Sequence, residues 1–208
     1  MIDYRSFQYI YPPRPKNPIP PCDLKMWDNN TMIAQPKING SNCSIYLDGK
    51  DMWVFNRHGQ RLTGFDIMKS EIYQLYTGKG WVVLNGEFTN KAKSDHNGNQ
   101  FRNKFCLFDI LVDESKHLIG VSFEDRVNMI EERFPKTDNY ITQITENIFR
   151  INSYTNGFVN LFDSLSKIDM VEGLVLKRKS AKLEVGATEL NNHKSQIKVR
   201  KPTKNYKF

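Results

Sequence analysis

The chain reads as an α+β domain of antiparallel sheets with flanking helices, and three observations point there. Short runs rich in β-branched and aromatic residues alternate apolar and polar positions between turn residues. Three longer stretches carry one apolar face at helical spacing. Strands and helices mix without a regular βαβ alternation. At 208 residues, 39% hydrophobic and 12% aromatic, the chain is long enough to bury a proper core and is too apolar for global disorder.

Residues 1–31 form a proline-rich N-terminal arm. Its segment PPRPKNPIPP (12–21) holds six prolines, which exclude helix and central strand. An extended strap carrying Arg14 and Lys16, packed on its own domain, is expected. The domain proper spans 32–208. MIAQPK, NCSIYLD and DMWVFNR follow closely, the last after the turn Asp48-Gly49-Lys50, and predict an antiparallel meander. Phe65, Met68, Ile72, Leu75 and Tyr76 share a helical face that ends at Gly78. WVVLNGEF (81–88) and KFCLFDILV (104–112) are buried strands, separated by the polar loop NKAKSDHNGNQFRN. Ser122 caps a helix to Phe134, and a second helix covers 155–167. EGLVLKRK (172–179) and SQIKVRK (195–201) supply the last strands.

Composition narrows the function. No apolar run approaches the ~18 residues of a membrane span, and the first residues lack the order of a secretion signal. A cytoplasmic monomer without a membrane partner is expected. Cys22, Cys43 and Cys106, with His58, His96, His117 and His193, show no CxxC, HExxH or paired-histidine spacing, which argues against a disulfide framework or a transition-metal site. The net charge of +7 favours a polyanionic partner, since Lys and Arg neutralise phosphates. The basic residues concentrate at the end: between Lys177 and Lys207 ten cations, including Lys201, Lys204 and Lys207, face only Glu184 and Glu189.

Six short elements then occur in order: PKINGSN (36–42), NRHG (56–59), NGEF (85–88), LFDI (107–110), VEGLVLK (171–177) and IKVR (197–200). Each alone is common. Phe108 lies in an apolar strand where core packing is the usual fate, and Lys198 to Lys201 would ordinarily be a solvated edge strand. His58 reads as a solvated turn residue and Asp109 as a support of the fold. Period-2 alternation puts Val175 and Lys177 on one side of their strand, which is consistent with a pocket wall ending in a phosphate contact.

As an ordered set these elements resemble the covalent nucleotidyltransferase superfamily of ATP-dependent DNA ligases, RNA ligases and mRNA capping enzymes. The continuation Ser41-Asn42, and Arg57 twenty residues after Lys37, are most similar to nick-sealing bacteriophage-type RNA ligases. The resemblance covers about residues 32 to 201 and implies an ATP-grasp-like nucleotidyltransferase domain. It implies an RNA ligase in which Lys37 takes AMP from ATP, passes it to a 5′-phosphate end, and a 3′-hydroxyl displaces it. The partner implied is nicked or broken RNA, with DNA as the alternative. A minimal DNA ligase, a GTP-using capping enzyme and an inactive nucleic-acid-binding module are the other readings.

An amine attacks phosphorus only when unprotonated, so such a lysine needs cations or desolvation around it. Lys177, Lys198 and Arg200 are the candidate neighbours. The resemblance implies that Lys198 contacts the α-phosphate with Arg200 beside it, and that Glu172 helps hold Mg²⁺. It further implies that Glu87 meets the ribose hydroxyl, Phe108 stacks on the purine, and Asn42 and Arg57 face phosphates. Two departures stand out. Asn39 replaces the commoner acid, and Arg200 replaces the usual lysine, keeping charge without a transferable proton. The expected domain lacks the C-terminal OB-fold or helical module that family ligases carry.

Overall fold

The computed structural model describes residues 12–185 and 192–202. Strand β1 (Arg14–Ile19) leads through a 3-10 turn (Pro21–Asp23) and the single-turn helix α1 (Leu24–Trp27) to β2 (Met32–Ile38). A hairpin of β3 (Ser41–Asp48) and β4 (Met52–Asn56) follows, then the short β5 (Arg61–Leu62). Residues 66–75 are a broken helix: one 3-10 turn, α2 (Lys69–Ile72), and a second 3-10 turn. Next come β6 (Trp81–Thr89), β7 (Lys104–Asp113), β8 (Lys116–His117) and helix α3 (Phe123–Arg133). The chain continues through β9 (Ile141–Gln143), β10 (Ile148–Ile151), α4 (Phe158–Leu165), β11 (Val171–Arg178) and β12 (Asn192–Arg200).

Two sheets result. One has the order β1-β12-β11-β2; the other runs β5-β4-β3-β6-β7-β10-β9, with β8 paired to β7. Most pairings are antiparallel, as expected, while β1–β12 and β10–β7 are parallel. The expected continuous meander over 32–57 breaks in two. β3 and β4 pair as a hairpin, but β2 crosses to the other sheet and pairs with β11. Its apolar run is satisfied by a different neighbour, a choice that local alternation does not encode.

Register fixes what each face of the small sheet does. Lys37, Gly173 and Arg200 form one cross-strand row; Gln35, Val175 and Lys198 the next; Ile33, Lys177 and Gln196 the third. The intervening Ala34, Leu174, Leu176, Ile197 and Val199 point the other way into a core shared with α4, through Phe158, Phe162 and Leu165. Gly173 has φ +143, and a Cβ there would stand 2.0 Å from the Val199 carbonyl, so this central position accepts only glycine.

A second core lies on the larger sheet, where Ile45, Leu47, Val82 and Leu84 pack with Phe65, Met68, Ile72 and Leu75 of the broken helix. The apolar face predicted there is correct, although the helix is not continuous. Ser122 accepts the Asp125 N–H as the predicted cap of α3. The second predicted helix is shorter, starting at Gly157 in the left-handed region. Asp109 and Arg126, each 2% exposed, pair through two hydrogen bonds of 2.8 and 3.0 Å and pin α3 behind β7. β12 is internal, because the proline arm pairs along it as β1; the run 198–200 is therefore no edge strand. Lys204, Lys207 and Glu189 lie outside the described residues.

Candidate active site

A cavity of about 510 Å³ opens between the two sheets. Its lining includes Lys37, Asn42, Arg57, Glu87, Phe108, Glu172, Val175, Lys177, Lys198 and Arg200, so every candidate residue reaches the same space. The three rows of the small sheet form one wall. Asn42, Arg57, Glu87 and Phe108 arrive from β3, the β4–β5 turn, β6 and β7 of the other sheet.

At one end Lys37 Nζ donates to Glu172 Oε2 at 2.5 Å, and Asn39 Nδ2 donates to Glu172 Oε1 at 2.8 Å. Arg200 Nη2 lies 3.7 Å from Glu172 Oε2. Asn39 thus orients the carboxylate that an acid at this position would repel. Lys198, one row along, has its pKa lowered by burial first and then by Arg200, Lys37 and Arg14. These cations therefore share one electrostatic neighbourhood with Lys37.

Lys177 does not belong to it. Two rows separate it from Lys37, and its ammonium sits 4.5 Å from the Phe108 ring centroid and 4.5 Å from that of Phe123. Burial pushes its pKa down to about 8, against the pull of Asp109. The expectation that Lys177 neighbours Lys37 is thereby corrected: alternation placed Lys177 on the right face, but the wall runs far enough to carry it to the opposite end. Phe108 is half-buried, whereas its neighbours Leu107 and Asp109 are fully buried, which leaves a ring face for the cavity.

On the other wall Asn42 donates to the Gly86 carbonyl at 3.3 Å and exchanges hydrogen bonds with Asn85. Arg57 Nε donates to His58 Nε2 at 3.1 Å, and both residues line the cavity. His58 is therefore a wall residue as well as a turn residue. Glu87 is pushed up to about 7, chiefly by burial and further by Glu172, against Lys37 and Arg57. Gly86 does not admit a ligand: a Cβ there would meet the Phe105 ring at 2.4 Å, so it makes room for the core.

The sequence model of the RNA ligase family matches residues 30–199. The chain belongs to the RNA ligase family.

This places it in the covalent nucleotidyltransferase superfamily, and its fold agrees with that of other members. A mycobacterial DNA ligase D, solved with ATP and MES, superposes with a TM-score of 0.71 at 17% identity, over 94% of this chain and 61% of the other. The ligase domain of M. tuberculosis LigD gives 0.67 at 16%, over 90% and 59%. A Lig E DNA ligase gives 0.53 at 16%, over 89% and 67%. This RNA ligase family chain spans about three fifths of the length of the first two. No curated protein matches it.

Several residues of this family member were not placed at the cavity from sequence. Pro12, Pro13, Arg14 and Pro15 of the arm close one side of the cavity. Gln35 is 3% exposed; its Nε2 donates to the Phe108 carbonyl at 3.2 Å and to Ser153 Oγ at 3.1 Å. Its Oε1 has no partner among the described residues. Lys37 and Gln35 share a face by alternation, the one signal that could have found it.

Among the described residues no group of three metal-binding side chains assembles. The two carboxylates that do face the cavity, Glu87 and Glu172, are hard oxygen donors. That set suits Mg²⁺, which takes one or two carboxylates and fills its remaining positions with water and substrate phosphates.

Proposed function

We propose that this chain is the nucleotidyltransferase domain of an ATP-dependent RNA ligase, with Lys37 as the residue that takes AMP. The observation that carries the reading is the convergence of a lysine amine, a cationic row and a half-buried aromatic ring in one cavity. The purine lies on Phe108 with its exocyclic amine toward Gln35 Oε1, an acceptor otherwise left buried without a donor. Adenine offers an amine there and guanine a carbonyl oxygen, which favours ATP. The ribose hydroxyl donates to Glu87, and the α-phosphate lies between Lys37, Lys198 and Arg200.

In the first step the Lys37 nitrogen forms a bond to the α-phosphorus as the bond to the bridging oxygen breaks, pyrophosphate leaves, and the amine loses a proton. Lys198 and Arg200 offset the charge gathering on the phosphoryl oxygens. Lys37 must leave Glu172 to attack. Mg²⁺, held by Glu172 with help from Glu87, would supply further charge compensation on the phosphates. The AMP then passes to a 5′-phosphate end, and a 3′-hydroxyl displaces it to leave a phosphodiester.

Intact mass after incubation with ATP and Mg²⁺, then with GTP, tests the reading. A gain of one AMP in the wild type and none in Lys37→Ala is expected. A wild-type chain that gains no mass with either nucleotide overturns it. The structural likeness to DNA ligases supports DNA as a second substrate, and sealing of matched RNA and DNA nicks separates the two.

A further inference from the structure

The polar loop 90–103 has no part in the nucleotide cavity, yet it is built and fastened. It folds back on itself through Phe101 N–H to the Lys93 carbonyl at 2.6 Å and Asn103 N–H to the Thr89 carbonyl at 2.6 Å. Asp95 closes its tip by accepting the Asn97 and Asn99 amides, both at 2.9 Å. Lys93 Nζ and the Ser94 N–H both bind Asp169, at 2.7 and 3.2 Å, and the Met170 N–H reaches the Ser94 carbonyl at 3.1 Å. The loop is therefore a rigid flap seated on the turn 167–170.

Its position relative to Lys37 is equally defined. Asn90 Nδ2 donates to Ser41 Oγ at 3.1 Å, and Ser41 is on the lip of the cavity. The Met170 carbonyl accepts the Asn39 N–H at 2.8 Å, two residues from Lys37. Lys201 follows Arg200: its N–H donates to the Glu172 carbonyl at 2.9 Å and its Nζ to the Ile168 carbonyl at 2.8 Å. Loop, turn and Lys201 thus adjoin the Lys37–Glu172 end of the cavity, away from the Phe108 end.

The surface so formed carries Lys91, Lys93, Arg102, Lys167 and Lys201 against Asp95 and Asp169, and those two carboxylates are already spent on the loop and on Lys93. Lys91, Arg102 and Lys167 are exposed and make no side-chain bond among the described residues. Three solvated cations beside the Lys37 end of the cavity suit a phosphate backbone.

We propose that loop 90–103, the turn 167–170 and Lys201 form a shelf for the sugar–phosphate backbone of the strand whose 5′-phosphate is presented to Lys37. The inference rests on the ligase reading above. A 5′-phosphate that must reach the AMP on Lys37 enters by the Lys37 end, so its strand leaves across the nearest lip, and that lip is this shelf. The contacts are to phosphates and sense no base sequence.

The test uses the full chain and a fluorescent 5′-phosphorylated RNA oligonucleotide, with anisotropy read across a salt series. The Lys91→Ala, Arg102→Ala, Lys167→Ala triple variant should bind at least about tenfold more weakly at low salt, its log K against log salt slope shallower by about 2, at ~0.7 per lost contact. Its gain of AMP mass should match the wild type. A control removing Lys50, Lys79 and Lys116, exposed cations at the other end of β6 and β7, should keep the wild-type slope. A triple variant that binds as the wild type, or a control that loses as much, overturns the shelf while lysyl-AMP formation leaves the ligase reading intact. A wild-type chain that takes no AMP overturns that reading, and with it the assignment of the bound strand.

Discussion

Lys37 donates to Glu172 Oε2 at 2.5 Å, and Arg200 stands 3.7 Å from that same oxygen. One carboxylate thus organises the amine that would attack and a cation that would steady the phosphate. Lys37→Ala and Lys37→Arg should both abolish the AMP adduct, since neither supplies a primary amine. Glu172→Gln keeps a hydrogen-bonding shape but removes the charge, and should slow adduct formation by about 100-fold. The pair is partly exposed, so melting of Glu172→Gln should change by no more than about 1 kcal/mol. An unfolded Glu172 variant would make the residue a structural one.

Gln35 sets the next expectation. Its Nε2 is held by two acceptors, so Oε1 is the atom left for a ligand donor. Gln35→Met should reduce the preference for ATP over GTP by about tenfold, the worth of one buried hydrogen bond at ~1–3 kcal/mol. Competitive binding of the two nucleotides measures it, and an unchanged ratio removes Gln35 from base selection.

Much of this was legible because local pattern carries it. The strands around Lys37, Glu87 and Phe108 announce themselves as short apolar runs, and Ser122 by its capping chemistry. The row that puts Lys37 beside Arg200 was not legible from spacing, since it depends on β2 leaving its hairpin neighbours for β11. The same non-local pairing misled the reading of Lys177. Arg14 was named on the arm, but its place beside the cavity escaped because proline content says where a strand cannot go, not which strand an extended arm will lie beside.

Phe108 stacks on the base in the proposed reading and adjoins the Lys177 ammonium. Phe108→Ala should weaken nucleotide binding by about 1–3 kcal/mol, the range for base–aromatic stacking, and Phe108→Leu by less. Because the ring is only half-buried, thermal stability should fall less than for a core phenylalanine. Lost stability with unchanged affinity would return Phe108 to the core.

Glu87 should show its raised pKa of about 7 in both stability and binding. For an acid raised in the folded state, the stabilisation is fully present below about pH 4.5 and is lost as pH rises through about 7. The melting temperature of wild type minus Glu87→Gln should therefore fall between those values. Nucleotide binding runs the other way, because the ionised carboxylate is the better acceptor. Affinity should rise in wild type from about pH 6 to pH 8 and stay flat in Glu87→Gln. A flat wild-type profile removes the ribose contact.

Lys177 offers the sharpest separation of stability from function. It is 5% exposed, between two aromatic rings, with its pKa down to about 8. The folded chain therefore holds fewer protons at this site than the unfolded chain between about pH 8 and pH 10.5, and stability from this group rises with pH across that window. Below about pH 8 the folded state carries the whole cost of a buried ammonium, which the rings and Asp109 only partly offset. Lys177→Met removes the charge and keeps the length, so at neutral pH it should be more stable than wild type by about 1–3 kcal/mol. That advantage should shrink as pH climbs from about 8 toward 10.5, because the wild-type amine is then neutral in the fold. Nucleotide affinity should drop in the same variant, since the ammonium lines the cavity against the Phe108 ring and so adjoins a base stacked there. Denaturant melts of both proteins across pH, with nucleotide titrations at neutral pH, give the two readouts. A variant that is less stable at neutral pH would mean that the ammonium holds the fold together through its aromatic contacts, and one that binds nucleotide normally would leave it without a role in the site.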